Sequence, residues 1–369
     1  MDAIVHAAAA HGVAESLAMP IPGVRPPRVA VVVGCYNQAA YVEATLRSVA
    51  AQSYEDFECV VLDDRSTDGS YERIEQVLQS LGDQRFRAIL RRANGGQMAT
   101  MLEGLDATSS PFVTFLDADD LWHPEFLERH VSAHMSERGA AAISCSNLAL
   151  IDAEGTQLSG GKPNFMDGDP RQPHRNLVFT EEVLGDGTRV FIAPSNAPIG
   201  WIWSATSAMM FRRTVLDTLR PAHPERIRFC ADGYLAKGAH MLGGTVRIER
   251  SLGCYRLHGE NAFSRNVLYG SRTSLGQTPN DILIAFQEEL IRCLCDNAEP
   301  LMTTLPRQYL ANVLVALAGR EGAVALAATN PHAKLILSAL PPARPVKPLK
   351  RLVRRFKAWL NSPFSKSST

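Results

Sequence analysis

No Asp or Glu occurs after Glu321, although the formal net charge of the chain is zero. That acid-free stretch holds nine basic residues: Lys334, Arg344, Lys347, Lys350, Arg351, Arg354, Arg355, Lys357 and Lys366. The rest of the chain therefore carries 29 basic against 38 acidic residues. An acidic body with a basic tail points to an anionic partner for the tail. The seven cysteines are dispersed, with no CxxC pair and no His/Cys spacing of a zinc site, which excludes a disulfide scaffold or zinc module and suits reduced thiols in a cytosolic setting. No GxGxxG, no Walker A loop and no Gly-x-Ser-x-Gly occurs, which counts against dehydrogenases, P-loop NTPases and α/β-hydrolases. No stretch reaches 18 uninterrupted apolar residues. Ala311–Ala328 comes nearest and is broken by Arg320, Glu321 and Gly322, so no membrane span is expected. The N-terminus lacks a basic start before an apolar core, so no secretory signal is expected either.

What is present is globular: 46% hydrophobic and 21% charged over 369 residues, enough for one large domain with an appendage or for two domains. After a proline-rich "MPIPGVRPP", apolar runs alternate with helical spacing. Strands are expected at 29–33, 57–64, 86–90 and 112–116, with helices at 41–51, 71–81 and 96–107. This βαβαβαβ order predicts an α/β fold with a mostly parallel sheet covered by helices. Farther on, 152–198 reads as loop, "WIWSATSAMMF" (201–211) as a buried strand, 230–242 as a helix and 245–259 as a strand. From about 278 the chain reads as helical, interrupted at "PPARPVKP".

Ligands of such sheets bind at the carboxyl ends of strands. Acids gather there: "FECVVLDD" ends on Asp63 and Asp64, and "VTFLDADDLW" ends on Asp117, Asp119 and Asp120. Clustered carboxylates raise one another's pKa, a penalty that a divalent cation removes. Oxygen ligands suit Mg²⁺ or Mn²⁺, which take phosphate oxygens as further ligands. The competing reading is structural, with Asp119 or Asp120 capping the next helix and Asp63 or Asp64 forming an Asx turn.

The run "VAVVVGCYNQAAYVEATLRSVAAQSYEDFECVVLDDRSTDGS", with the continuation "NGGQMATMLEGLDATSSPFVTFLDADDLWHPEFLE", resembles the family 2 glycosyltransferases. The likeness is strong over about 28–130 and weaker to about 260. It implies a GT-A fold, a nucleotide-binding αβα sandwich that takes a nucleotide-sugar donor, UDP-linked by expectation, and inverts the anomeric carbon. By matching position, Tyr36 would lie against the base with Asn37 beside it. Asp63 or Asp64 would hydrogen-bond base or ribose, and Asn94, Gly96 and Gln97 would line the nucleotide cleft. Asp117 and Asp119 would form the DxD element that holds the cation and ribose-diphosphate, with Asp119 the leading metal ligand. An inverting transfer needs a base for the acceptor hydroxyl. Asp232 in "CADGYLAKGA" is that candidate, with Ala231 where the family usually has Glu. "CYRLHGENAFS" (254–264) resembles the family's Tyr-Arg-x-His segment, so Arg256 would reach a phosphate and His258 would complete the metal shell. Arg65 stands where the family pattern usually has Gly.

Trp201 and Trp203 would share one face of a strand. They read either as an aromatic platform for a sugar acceptor, with Trp201 the candidate, or as core. In "KPLKRLVRRFKAWL" (347–360), Leu349, Leu352, Val353, Phe356 and Leu360 recur at helical spacing opposite basic residues. That pattern fits an amphipathic helix on the anionic inner face of the cytoplasmic membrane, or one packed on the protein's own acidic body or on a partner protein.

The resulting expectation is an N-terminal arm (1–27), a GT-A catalytic domain (28–265), a helical extension (266–340) and a basic amphipathic tail (341–369). The expected protein is cytoplasmic and peripheral at the membrane. It transfers sugar to a saccharide or lipid-linked acceptor in surface polysaccharide or glycoconjugate assembly, and no nucleic acid is expected as partner. A nucleotidyltransferase on a similar sheet would carry a Gly-rich, basic loop after its first strand, which "GCYNQAAY" lacks. A non-catalytic carbohydrate- or nucleotide-binding module is the other alternative.

Overall fold

The structure is a computed structural model that describes residues 25–136, 141–159, 180–195, 201–259, 261, 264–269, 272–275 and 279–340. The N-terminal arm up to residue 24 and the whole basic tail, 347–360 included, lie outside the described residues.

Strand β1 (Val29–Cys35) is followed by helix α1 (Val42–Ala50), β2 (Phe57–Asp63), α2 (Ser70–Leu81), β3 (Phe86–Leu90), α3 (Gln97–Asp106) and β4 (Phe112–Asp117). Every residue of β2 is buried, and β1 is buried but for Gly34. Runs of β-branched residues without polar alternation are what two covered faces demand. The alternation is visible in where the side chains go. Val29, Val31 and Val33 join Leu46 and Val49 of α1 and Ile74 of α2 on one face. Ala30 and Val32 join Met98, Met101 and Leu105 of α3 on the other.

The chain continues through β5 (Leu121–Trp122), α4 (Phe126–Met135), β6 (Ile143–Ile151), β7 (Gln157–Ser159), β8 (Thr180–Val183), β9 (Arg189–Ala193), β10 (Met209–Arg212), α5 (Arg213–Thr218), α6 (Ala231–Gly243) and β11 (Thr245–Arg256). One sheet of 11 strands runs in the order β3-β2-β1-β4-β10-β6-β11-β9-β8, with β5 on β11 and β7 on β6. The β3-β2-β1-β4 part is parallel. Strand β10 runs antiparallel to both β4 and β6, so β6 and its parallel neighbour β11 point the same way as β4. Register places Cys35 beside Asp63 and Gly34 beside Asp117, so the loops after β1, β2 and β4 open onto one edge.

Two expectations need correction. The run 201–211 is not one strand: only Met209–Arg212 pairs, after a 3-10 turn over Thr206–Ala208. Its hydroxyl residues break the pattern by turning to buried partners, as Ser207 does toward Asp120. The loop-rich stretch 152–198 also contributes three short strands, β7 to β9.

A hairpin of β12 (Ser264–Tyr269) and β13 (Arg272–Leu275) precedes helices α7 (Asn280–Asp296), α8 (Ala298–Thr304), α9 (Arg307–Thr329) and α10 (Pro331–Leu337). The boundary expected at 265 thus falls inside β12. Phe286, Leu290, Leu314 and Ile336 share one core with Tyr234 of α6 and with the sheet, so the helices extend the sandwich. Helix α9 is long and apolar enough to cross a membrane by length and composition. It breaks at Gly319 (φ 71°, ψ 164°) and buries Leu310 and Leu314 in that core.

Candidate active site

The first two edge loops are laced together by short polar side chains. Asn37, at φ 55°, donates its backbone N–H to Ser66 Oγ (2.8 Å) and accepts from the Thr67 N–H through Oδ1 (2.9 Å). The Ala39 N–H donates to Asp68 Oδ2 (2.9 Å). Asn37 is therefore a latch between the loops. Its neighbour Tyr36 stays 50% exposed and presents an open ring at the edge.

The paired acids after β2 do different work. Asp63 accepts from the Ser66 N–H (2.8 Å), the expected Asx-type turn, while its buried Oδ2 has no partner. Asp64 clamps the segment before α3. Its two oxygens accept from the Gly95 N–H (2.8 Å) and the Gly96 N–H (2.7 Å), and it forms a buried ion pair with Arg91. Asn94 adds a bond from Nδ2 to the Asp64 carbonyl (3.0 Å). Gly96 is obligatory here: at φ 83°, an added Cβ would lie 2.5 Å from the Arg228 carbonyl oxygen. Arg65 sits at φ 67°, which explains why glycine suits this position. The left-handed backbone costs a non-glycine residue about 1–2 kcal/mol.

Gln97 joins three elements. Its N–H donates to the Arg228 carbonyl (2.7 Å), Oε1 accepts from the Ala231 N–H (2.8 Å), and Nε2 reaches Thr206 Oγ1 (3.3 Å). Thr206 and Gln97 border the Asp117 carboxyl and pull its pKa down against the larger push of burial, and Thr206 does the same at Asp232. Burial, then the charges of Asp119 and Asp232, push the Asp117 carboxyl up to about 8. Burial likewise lifts Asp232 to about 6, against the downward pull of the Gly233 N–H, the Thr206 hydroxyl and Lys237. Asp232 is the second residue of α6, whose cap position is Cys230, so it does not cap the helix; it lies in the first turn, where the helix dipole favours a carboxylate.

The remaining acids separate by burial. Asp120 is fully buried, accepting from Ser207 Oγ (2.6 Å) and the Arg256 N–H (2.9 Å). Burial first, and then Asp119 and Asp117, drive its carboxyl well above the ordinary range. Asp119 Oδ2 lies 2.9 Å from Nε2 of His258, whose ring stacks on Tyr41. Neither Asp119 nor Asp120 caps α4, which starts at Phe126 behind Glu125 without a side-chain cap bond. Arg256 is buried and turned inward. Nε donates to the Asp119 carbonyl (2.8 Å), Nη1 donates to the carbonyls of Asp152 (3.2 Å) and Ala153 (2.9 Å), and the guanidinium lies over the Tyr41 ring. It braces the acidic turn. Trp203 is core, donating Nε1 to Thr245 Oγ1 (3.1 Å), while Trp201 stands edge-on to it and half-buried.

Asp117, Asp119, Asp232 and His258 are thus brought together on the edge, with Gln97 beside them and Tyr36, Asn37, Asp63, Asp64, Asn94 and Gly96 on the adjoining rim. Sequence reasoning missed Thr206, Ser207 and Arg91. The hydroxyls inside the apolar run 201–211 were the available signal for the first two. Among the described residues, no group of three or more His, Cys, Asp or Glu side chains is arranged to hold a metal by itself.

Residues 30–182 match the family described as glycosyl transferase family 2. An uncharacterized glycosyltransferase of Nostoc sp. is 30% identical over 234 residues, covering 63% of this chain and 66% of that protein. TuaG of Bacillus subtilis, a glycosyltransferase named for teichuronic acid biosynthesis, is 33% identical over 132 residues, covering 36% and 51%. The chain spans about half to two thirds of the length of these curated relatives. Residues 1–349 of S. aureus TarS, solved with UDP-GlcNAc, align with a TM-score of 0.50 at 18% identity over 82% of this chain and 76% of that one, a likeness of fold.

Proposed function

Because the chain belongs to the family 2 glycosyltransferases and folds as a GT-A sandwich, we propose that it transfers a sugar from a nucleotide-sugar donor to an acceptor hydroxyl with inversion. The observation that carries this reading is the clustering of Asp117, Asp119 and Asp232 at one strand edge near Thr206, with His258 Nε2 2.9 Å from Asp119.

In this mechanism the exposed Tyr36 ring receives the base, and the clamped segment Asn94–Gln97 forms the floor of the nucleotide cleft. Asp232 accepts the acceptor's hydroxyl proton. The acceptor oxygen bonds to the anomeric carbon as the bond from that carbon to the donor phosphate breaks, and the nucleoside diphosphate leaves with the electron pair. A pKa of about 6 leaves Asp232 largely ionised at neutral pH while keeping it a useful base.

The donor set fits Mg²⁺ or Mn²⁺. Burial, and then two neighbouring carboxylates, hold Asp117 above its ordinary range, and a cation relieves the repulsion between the carboxylates. The lack of a complete protein cage among the described residues suits an ion that takes phosphate oxygens as its other ligands. Asp119 and Asp117 would hold it, with His258 adjoining. When bound, it stabilises the charge that develops on the diphosphate.

A UDP-linked donor and a saccharide or lipid-linked acceptor in surface polysaccharide assembly complete the proposal. The TarS complex with UDP-GlcNAc and the teichuronic acid assignment of TuaG support it. The basic stretch 347–360 would hold the protein at an anionic cytoplasmic membrane face. If so, deleting 344–369 abolishes sedimentation with anionic vesicles.

A panel of nucleotide sugars with Mn²⁺ or Mg²⁺, scored for nucleotide release and binding, tests the main reading. One donor should be turned over. Asp119→Ala should abolish release, and Asp232→Asn should slow transfer by about 10²–10⁴ while donor binding persists. If no donor is either bound or cleaved, the catalytic reading is wrong.

A further inference from the structure

Two residues at the start of α1, Tyr41 and Thr45, reach the acidic turn that follows β4. Thr45 is fully buried, and its Oγ1 lies 2.8 Å from the Ala118 carbonyl oxygen and 2.8 Å from that of Asp120. The carbonyl between those two, that of Asp119, accepts from Arg256 Nε (2.8 Å). Three successive carbonyls of the turn therefore meet protein donors. Tyr41 stands at the cap position of α1, one helical turn before Thr45. Its ring meets two partners of Asp119. The His258 ring stacks on it with centroids 4.9 Å apart and planes at 29°, and the Arg256 guanidinium carbon lies 5.0 Å from its centroid.

One ring thus bears on both ends of Asp119. Through Arg256 it steadies the backbone carbonyl. Through His258, whose Nε2 lies 2.9 Å from Oδ2, it steadies the carboxylate. The His258 side chain is 2% exposed and that of Asp119 13%, so water does little to set the direction of either. The backbone around His258 is held without Tyr41: the His258 N–H donates to Asn261 Oδ1 (3.0 Å), and Asn261 Nδ2 donates to the Arg256 carbonyl (2.8 Å). What Tyr41 adds is the plane of the imidazole. The outer torsion of a histidine is broad and roughly two-fold, and a flat neighbour selects one plane from that range. The same aromatic face attracts the guanidinium.

We propose that Tyr41, with Thr45 one turn on, is a positioning residue for Asp119: its ring fixes the plane of His258 and the place of Arg256, and so aims the carboxylate that would hold the cation. This rests on the nucleotide-sugar reading above. The role belongs to the ring and not to the hydroxyl, because stacking and cation attraction both use the π face. A ligand already aimed by its neighbours spares the ion the cost of ordering it, and loss of such a neighbour typically lowers metal affinity by about 10–100-fold. A residue that only packed would behave differently. Its loss would lower stability and weaken nucleotide binding equally with and without metal. Loss of a positioning residue weakens only the part of nucleotide binding that the cation supplies.

The test is calorimetric binding of UDP to the full chain with and without Mn²⁺. The ratio of the two dissociation constants measures what the cation adds. Tyr41→Leu should cut that ratio about tenfold or more, while metal-free UDP binding stays within about twofold of wild type. Tyr41→Phe keeps the ring and should hold the ratio within about twofold. Thr45→Val, which frees the carbonyls of Ala118 and Asp120, should lower the ratio as well, and it carries the test if the melting temperature shows Tyr41→Leu unfolded. NMR of the metal-free, histidine-labelled protein at fixed pH reads the geometry itself. The His258 ring signals, identified by their loss in His258→Gln, should move in Tyr41→Leu and stay in place in Tyr41→Phe. An unchanged ratio in folded Tyr41→Leu, equal losses in the Phe and Leu variants, or a parallel fall in UDP binding with and without Mn²⁺ overturns the inference and leaves the glycosyltransferase reading intact. So does a wild type to whose UDP binding Mn²⁺ adds nothing. If the wild type binds UDP in neither condition, the reading beneath falls and takes the inference with it.

Discussion

Asp64→Ala separates two roles for the same carboxylate: contacting the nucleotide, as motif position implies, or holding the loop that does, as the geometry implies. In the structure the carboxylate is 6% exposed and accepts two backbone N–H groups at 2.8 and 2.7 Å, besides pairing with Arg91, which is 12% exposed. A hydrogen bond to a charged acceptor contributes about 1.5–3 kcal/mol. The Gly95 and Gly96 amides are only half-buried, so water would replace part of each bond, and the lower end applies: about 3 kcal/mol for the two. Arg91 keeps Glu103 Oε2 at 2.7 Å, but that carboxylate is 42% exposed and compensates weakly. Leaving the guanidinium short of a partner adds about 1–2 kcal/mol. The expected loss is about 4–5 kcal/mol, a large share of the roughly 5–15 kcal/mol that holds a domain folded. Urea unfolding should show it directly, and the melting temperature should fall by about 5–8 °C, since a chain of this length has a large unfolding entropy. Hydrogen exchange at the Gly95 and Gly96 amides should quicken, and donor affinity should weaken as a consequence. Asp64→Asn, which retains one acceptor, should lose about half as much. The reasoning is refuted if Asp64→Ala stays within about 1 kcal/mol of wild type while nucleotide binding collapses, for then the carboxylate touches the ligand and not the loop.

Asp117, raised from the ordinary 3.8 to about 8, keeps its proton in the folded state while the unfolded chain releases it. The ligand-free protein should therefore lose stability as pH rises from about 4 to about 8. Asp117→Asn should flatten that slope, and Mn²⁺ with a nucleoside diphosphate should reverse it, both read from melting temperature against pH. Gly96→Ala drives a Cβ against the backbone of Arg228 at φ 83°, so it should destabilise by about 1–3 kcal/mol in urea and weaken nucleotide binding in calorimetry. Asp120→Asn preserves an acceptor for the Arg256 N–H and a partner for Ser207, and should unfold within about 1 kcal/mol of wild type. Asp120→Ala strands both groups and should cost about 2–4 kcal/mol in the same assay.

The parallel half of the fold was legible because its strands are buried on both faces and say so in unbroken β-branched residues, and because the helices between them keep apolar residues at helical spacing. The second half hid for a physical reason. Strand β6 is buried throughout yet carries Ser144, Ser146 and Asn147, so its hydropathy does not read as core. The run 201–211 had the opposite fault, looking like a continuous strand because its hydroxyl residues are outnumbered by apolar ones, although those hydroxyls set the turn at Thr206–Ala208. At the candidate site, residue type and position put the acids on one strand edge, as the register does. They did not reveal that Asn37 latches, that Asp64 clamps or that Arg256 braces, because a buried polar strut and a ligand contact use the same side chains. Arg65 was visible as a departure from a pattern, but only its left-handed backbone shows what glycine would have supplied there.

The crowding of acids at this edge follows from a division of labour. Asp63 holds a turn, while Asp64 is paired with Arg91 and Asp120 is driven toward its neutral acid by burial, so the latter two add little free charge to the cleft. Asp117, Asp119 and Asp232 stand together at the cleft, where burial and then the charges of Asp119 and Asp232 raise Asp117. At neutral pH Asp117 must give up its proton before it can ligate a cation, so metal affinity should climb with pH until about 8 and then level off. Asp232 titrates lower, at about 6, and feels Lys237 in the same helix. With a cation and its phosphates held there, Asp117 would stay ionised as a ligand, and Asp232, the proposed base, would feel the added positive charge and be weaker but more fully ionised. Donor loading would then set the protonation state in which the acceptor is met, which gives an order to the two substrates: donor first, acceptor second.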